Sequence, residues 1–233
     1  MTFNATLTLP DGSMGLHAAG PDDAGAPALV VLQEIFGVNA AIRQTVAHYA
    51  AHGYRAVAPD LFWRQRPGIE LDPDDEAGHA AAMEAAQAYG KQPDAAMADL
   101  AALVEMLKQR HGTVGVVGYC LGGRMAFLAW LQLDVDAVVS YYGVGLDQLV
   151  GRTGAQATPL QMHVGTNDPL IPAAVRESVA AALGGRDAVS LHLYENAGHA
   201  FARRGGKTRL AQAAELADQR ALAFLDRHLK EQA

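Results

Sequence analysis

The sequence predicts an α/β fold, in which a mostly parallel central sheet carries helices on both of its faces. Continuous apolar runs alternate along the chain with stretches of helical periodicity, which is the pattern of parallel strands joined by helices. The run 28–32 has no polar position, as expected for a strand that is covered on both sides. At 233 residues, a single domain over 1–233 is the expected organisation.

The predicted elements follow in order along the chain. An antiparallel hairpin at 6–17 comes first and forms a sheet edge. Asn39 can cap the first helix, which Gly53 ends, and 60–73 is predicted to be a long surface loop that shapes the site. The other predicted strands span 28–32, 54–58, 114–119, 137–142, 160–165 and 189–194. The other predicted helices span 74–89, 94–110, 124–131, 172–183 and 209–230.

Composition and charge exclude several classes of protein. The net charge of −7 leaves no basic stripe of the kind that a nucleic-acid-binding protein needs. No apolar stretch approaches the length of a membrane span, and the first residues lack the pattern of a secretion signal. The single cysteine forms no internal disulfide, which fits a reducing compartment. We therefore expect a cytoplasmic monomer that acts on a small molecule and binds neither nucleic acid nor membrane.

The stretch 114–123 carries the strongest functional signal. A β-branched run ends in Gly-Tyr-Cys-Leu-Gly, and residues typical of a helix follow. Glycines two places before and after Cys120 fit the nucleophile elbow of the α/β-hydrolase fold, where the nucleophile occupies a sharp turn between strand and helix. The alternative is an inert buried cysteine that packs as a small hydrophobe.

Two residues further along the chain favour the catalytic interpretation. Asp168 follows one predicted strand and His199 follows the next, so nucleophile, acid and histidine occur in the order of the α/β-hydrolases. In this arrangement Cys120 attacks a carbonyl, His199 handles the proton and Asp168 orients the imidazole. Backbone N–H groups of Leu121 and Ile35 are the expected donors to the oxyanion.

Several motifs together resemble the dienelactone hydrolase (carboxymethylenebutenolidase) family over nearly the whole chain. The matching motifs lie at 33–39, 59–61, 118–123, 141–145, Asp168 and 197–203. The cysteine nucleophile and the Gln-Glu-Ile-Phe-Gly motif distinguish this family from serine esterases of the same fold. The resemblance implies hydrolysis of a carboxylated enol-lactone to maleylacetate in the breakdown of catechols. It implies neither a metal nor an organic cofactor.

The resemblance also assigns roles to residues outside the triad. It implies that Glu34 touches the resting thiol and takes its proton once Arg203 has bound the carboxylate of the substrate. A thiolate that forms only with substrate present is protected from oxidation. Phe36 and Tyr142 lie in matching motifs and are assigned to substrate binding. The alternatives are a surface salt bridge for Glu34 and a solvated cation for Arg203.

The chain departs from the family at three positions. His79 stands where the prototype enzymes carry a second carboxylate-binding arginine, Met83 replaces a tyrosine, and Ala200 replaces a serine. Histidine is largely neutral at pH 7 whereas arginine is always charged, so one cationic anchor is weakened. We expect weaker binding of the carboxylated lactone and more tolerance of uncharged esters. The alternative is a shifted alignment that brings Arg64 or Arg66 to the same place.

Other functions remain open at this stage. The same triad serves an esterase or lactonase of broader specificity, and a binding module can retain the hydrolase fold without turnover. His48 and His52 stand one helical turn apart, but no third ligand follows at a spacing that suits a metal.

Overall fold

A computed structural model describes residues 2–154 and 156–231. The chain divides into two compact units, 1–114 and 115–233. The expectation of one domain over 1–233 stays a prediction, and it extends to four residues that lie outside the described ranges. Each unit is built from strands and helices that alternate along the chain, which confirms the α/β class.

The first unit holds the hairpin and the strand that leads to Glu34. Its strands are β1 (Ala5–Leu9), β2 (Gly12–Ala19), β3 (Ala28–Leu32) and β4 (Arg55–Pro59). They run in the order β1-β2-β4-β3, in which β3 and β4 are parallel and the other pairs are antiparallel. The helices are α1 (Ala40–Ala51), α2 (Glu76–Gly90) and α3 (Pro93–His111). The predicted cap is confirmed, because the side chain of Asn39 accepts a hydrogen bond from the N–H of Ile42 at 3.2 Å.

The long loop at 60–73 differs from the surface loop that the sequence predicts. It has no regular secondary structure beyond turns and one bridge from Gly37 to Glu70, but its aromatic and aliphatic side chains are largely buried. Trp63 donates its indole N–H to Asp99 at 2.9 Å, and Asp60 accepts backbone N–H groups of Phe62 and Gly68. The loop is therefore a packed part of the first unit.

The second unit contains parallel strands in the order of the sequence. These are β5 (Val114–Tyr119), which begins at the unit boundary, β6 (Ala137–Tyr141), β7 (Leu160–Gly165) and β8 (Val189–Tyr194). Its helices are α4 (Leu121–Gln132), α5 (Ala173–Leu183) and α6 (Ala211–Leu229). Strands β5, β6 and β7 are buried at every residue, which explains why they are largely apolar; Ser140, Gln161 and His163 are buried polar exceptions. Cys120, Asp168 and His199 all follow carboxyl ends of these parallel strands.

Candidate active site

Cys120 occupies a strained turn between β5 and α4. Its backbone has φ 55° and ψ −112°, a conformation that is uncommon for a residue with a side chain. The turn is held on both sides, because the N–H of Cys120 donates to the carbonyl of Tyr141 at 3.0 Å and its own carbonyl accepts from Arg124 at 3.1 Å. The cysteine is 8% exposed. The structure thus confirms the predicted strand, sharp turn and helix around Cys120.

The glycines around Cys120 are required for steric reasons. A Cβ on Gly118 would lie 1.9 Å from the carbonyl oxygen of Gly122. A Cβ on Gly123 would lie 2.7 Å from the carbonyl oxygen of Tyr141 and 2.8 Å from the Cα of Gly143. These neighbours are backbone atoms, which cannot move aside as the end of a long side chain can. The pattern of glycines therefore serves to bring strand, turn and helix into close contact.

His199 and Asp168 form a hydrogen-bonded pair in the same unit. The Nδ1–H of His199 donates to Oδ2 of Asp168 at 2.8 Å, and Oδ1 of Asp168 accepts from the N–H of Leu170 at 2.8 Å. Asp168 is 2% exposed. A buried carboxylate that is bonded in this way fixes both the tautomer and the orientation of the imidazole.

The environment of His199 keeps its imidazole protonated at neutral pH. Burial lowers the pKa of His199, but the hydrogen bond to Asp168 and the interaction with Cys120 outweigh it and raise the pKa to about 10. Among the described residues the buried Nε2 makes no hydrogen bond of standard geometry, so the sulfur of Cys120 acts on the ring at longer range. The imidazolium is therefore available as a proton donor in acyl transfer.

This raised pKa predicts how stability depends on pH. The pKa of His199 is about 10 in the folded protein, and that of an unfolded histidine is ~6.5. The contribution of His199 to the free energy of unfolding is therefore fully present below pH ~6.5. We expect this contribution, on the order of a few kcal/mol, to be lost as pH rises towards 10. Urea denaturation of wild type and His199→Gln at pH 6, 8 and 10 measures it. A difference between the two proteins that does not shrink with rising pH would contradict the assignment.

Tyr142 packs directly against His199. Its ring centroid lies 5.2 Å from that of His199 and 5.6 Å from that of Phe201, both in edge-to-face geometry. Its backbone has φ 38°, and that of Ala200, the residue after His199, has φ 58°. Sequence reasoning did not single out Phe201, for which the available signal was its place two residues after His199. Tyr142 and Phe201 thus limit how the imidazole can move.

Arg203 is a buried arginine close to His199 in sequence. It is 9% exposed, which does not fit the alternative of a solvated cation. The backbone N–H of Arg203 donates to the carbonyl of Ala200 at 3.0 Å. Its aliphatic part packs on Gly206, where a Cβ would lie 2.7 Å from Cδ of the arginine. A buried guanidinium is suited to bind a carboxylate, because it is always charged and carries paired N–H donors.

The first unit holds Glu34, Ile35 and Phe36 in the turn that follows β3. Glu34 is 2% exposed, which does not fit a surface salt bridge, whereas Ile35 is half-buried. Gly37 anchors the turn: it has φ 78°, and a Cβ there would lie 1.8 Å from the carbonyl oxygen of Ile69. The packed loop at 60–73 therefore supports the Gln-Glu-Ile-Phe-Gly motif.

Helix α2 places His79 and Met83 one turn apart on an exposed face. The ring of His79 meets that of Phe36 edge to face, with centroids 5.1 Å apart, and Met83 is 46% exposed. Arg64, the alternative anchor, pairs with Asp99 at 2.7 Å and with Asp11. His79 therefore lies beside the motif after β3, whereas the guanidinium of Arg64 is already bound by two carboxylates.

Two further findings concern metals and membranes. Within residues 2–154 and 156–231, no three side chains of histidine, cysteine, aspartate or glutamate converge as ligands of a metal ion would. In the same part of the chain, no helix combines the length and apolar character needed to cross a bilayer.

Similarity to known proteins identifies the family of this chain. The model of the dienelactone hydrolase family matches residues 14–229. A carboxymethylenebutenolidase of Pseudomonas putida is 41% identical over 97% of this chain and 96% of its own length. Carboxymethylenebutenolidase 1 of Cupriavidus pinatubonensis is 35% identical over 92% of each chain.

Solved structures show the same fold. A crystal structure provisionally assigned as a dienelactone hydrolase of Klebsiella pneumoniae has a TM-score of 0.76 and 27% identity, over 96% of this chain and 98% of its own. The esterase Pf2001 of Pyrococcus furiosus has a TM-score of 0.71 and 16% identity, over 97% and 90% of the two chains. The predicted α/β-hydrolase fold and the resemblance drawn from the motifs are both confirmed. The chain belongs to the dienelactone hydrolase family and is a hydrolase.

Proposed function

We propose that the enzyme hydrolyses a carboxylated enol-lactone, dienelactone, to maleylacetate through a Cys-His-Asp triad. The observation that carries the proposal is the pair of His199 and Asp168 at 2.8 Å, with Cys120 acting on the same imidazole. The strained turn at Cys120 supports it, because such strain is characteristic of functional positions. The names of the relatives at 41% and 35% identity support the choice of substrate.

The proposed chemistry has two stages. The thiolate of Cys120 adds to the lactone carbonyl, and the N–H of Leu121 at the start of α4 stabilises the oxyanion together with that of Ile35. The C–O bond of the ring then breaks, the enolate oxygen takes the proton of His199, and a thioester remains on Cys120. In the second stage His199 removes a proton from water, which attacks the thioester and releases the acid.

The carboxylate of the substrate is the second element of the proposal. Arg203 is the proposed anchor, because a buried guanidinium binds a carboxylate more strongly than an exposed one does. The role of Glu34 as acceptor of the thiol proton is proposed on the resemblance. Its 2% exposure supports a specific role, since burying a carboxylate costs free energy.

Replacing His79 by arginine is expected to change the affinity for the substrate. A permanent charge at this position adds a charge-assisted hydrogen bond of about 1.5–3 kcal/mol. We therefore expect His79→Arg to lower the KM for dienelactone about ten- to a hundredfold.

Steady-state kinetics on dienelactone with wild type and His79→Arg tests this prediction. Gln87→Arg is the matched control, since it adds the same charge at an exposed position further along α2. If His79→Arg brings no gain over Gln87→Arg, His79 is not the anchor.

A second candidate function is a lactonase or esterase of broader specificity. The observation that favours it is the apolar character of Met83, which is 46% exposed, and of Ala200. Comparing kcat/KM for cis- and trans-dienelactone with that for simple aryl esters separates the two functions. We expect at least one dienelactone isomer to be preferred; an aryl ester that is hydrolysed faster than both isomers would replace the proposal with the broader one.

A further inference from the structure

One cavity of the second unit lies away from the residues of the triad. It has a volume of about 400 Å³ and is lined by the amino-terminal halves of β7 and β8 and by the carboxyl-terminal half of α6. Its polar lining includes Gln161, Asp187, His192, Arg220, Arg227 and His228. Asp168 and His199 follow the carboxyl ends of the same two strands, so the cavity faces the opposite end of the sheet. Its volume lies within the range of sites for small ligands.

The charge in this cavity is predominantly positive. Two arginines line it, and Asp187 is the one acidic residue among its lining. In the described part of the chain, neither Arg220 nor Arg227 forms an ion pair with a carboxylate. The guanidinium of Arg220 instead lies over the ring of Tyr194 at 5.5 Å, which holds it in place. A cavity with two guanidinium groups that no carboxylate of the described residues neutralises attracts anions.

The histidines of the cavity add polar groups without adding charge. Burial and the charge of Arg220 lower the pKa of His192, and burial and the charge of Arg227 lower that of His228. The Nδ1 of His228 is buried and has no hydrogen-bond partner among the described residues. A ligand that carries hydrogen-bonding oxygens could satisfy this nitrogen.

The strand wall of the cavity is held rigid by hydrogen bonds and stacking. His163 is fully buried behind it and bonds to Oη of Tyr194 at 2.7 Å and to Oε1 of Gln161 at 2.9 Å. Its ring also stacks on that of His192, with centroids 5.4 Å apart, at paired positions of β7 and β8. These contacts hold Gln161 and His192 in place before any ligand arrives, which lowers the entropic cost of binding.

We propose that this cavity binds a small organic dianion of the dicarboxylate class. One carboxylate binds Arg220 and the other binds Arg227, since a guanidinium matches a carboxylate in geometry and charge. The carbon body lies against the apolar part of the lining, which includes Val189, Ala223 and Phe224. This apolar lining favours a dicarboxylate over inorganic phosphate. The inference is independent of the catalytic proposal, because it uses none of the residues assigned to the reaction.

Titration with succinate, followed by NMR of the histidine imidazole signals, tests the proposal. The chain has nine histidines, and His192→Gln and His228→Gln identify the two signals at the cavity. We expect both signals to shift in a saturable way with succinate, and to respond at least tenfold more weakly to inorganic phosphate. Shifts confined to His199 would place succinate at the catalytic site and overturn the proposal, as would no shift at all or an equal response to phosphate.

Three variants then locate the binding site. Arg227→Gln removes one exposed guanidinium and should weaken succinate binding at least tenfold, whereas Ala223→Leu should obstruct the cavity without changing its charge. Arg152→Gln is the matched control, because it removes an exposed arginine of the same unit outside the cavity. Unchanged binding in both Arg227→Gln and Ala223→Leu, or an equal loss in Arg152→Gln, would overturn the assignment.

Discussion

Cys120→Ala and His199→Ala are each expected to reduce the turnover of dienelactone by a factor on the order of 10⁵ to 10⁶. In the proposed mechanism Cys120 supplies the sulfur that forms the acyl-enzyme, and His199 supplies the proton that the ring oxygen takes when it leaves. Asp168→Asn should cost less, on the order of 10⁴, because Asp168 orients and stabilises the imidazole without reacting itself.

Single-turnover and steady-state rates on dienelactone measure these losses, with circular dichroism as the check that each variant is folded. Mass spectrometry of a quenched reaction should detect the acyl adduct on Cys120, the single cysteine, in the wild type. Near-native turnover in a folded Cys120→Ala would contradict the proposed nucleophile. A wild type that binds dienelactone without hydrolysing it would instead indicate a binding module.

Gly118→Ala is expected to destabilise the protein by on the order of 5 kcal/mol or to prevent folding. The new Cβ would lie 1.9 Å from the carbonyl oxygen of Gly122, and its next neighbours are also backbone atoms of Gly122 and Gly123. Relief of the clash requires β5 and the first turn of α4 to move apart. That movement would also displace Cys120, so any folded fraction should have low activity.

Gly151→Ala is the matched control for this substitution. A Cβ at Gly151 meets no atom within 4 Å, and its backbone is outside the left-handed region. We expect its free energy of unfolding to stay within about 0.5 kcal/mol of that of the wild type. Urea denaturation of the three proteins gives the comparison. A Gly118→Ala protein as stable as Gly151→Ala would show that β5 and α4 can separate at little cost.

The sequence by itself determined the local structure and the order of the chemistry. Largely apolar runs identify β3, β5, β6 and β7, because a strand covered on both faces has few positions for a polar side chain. The elbow at Cys120 could be predicted because the contact that requires Gly118 joins residues only a few positions apart. The order of Cys120, Asp168 and His199 along the chain then favoured the α/β-hydrolase fold, since each of them follows a strand.

The tertiary structure decided which polar groups are buried and what charge they carry. The sequence left Glu34 and Arg203 open to interpretation as surface residues, and it predicted the loop at 60–73 to lie on the surface. It also had no signal for the cavity beside α6 or for the raised pKa of His199. Burial and pKa depend on groups that are distant in the chain and meet only when the strands and helices pack. Local periodicity in the sequence contains no information about contacts between groups that are distant in the chain. These contacts are therefore visible only in the folded molecule.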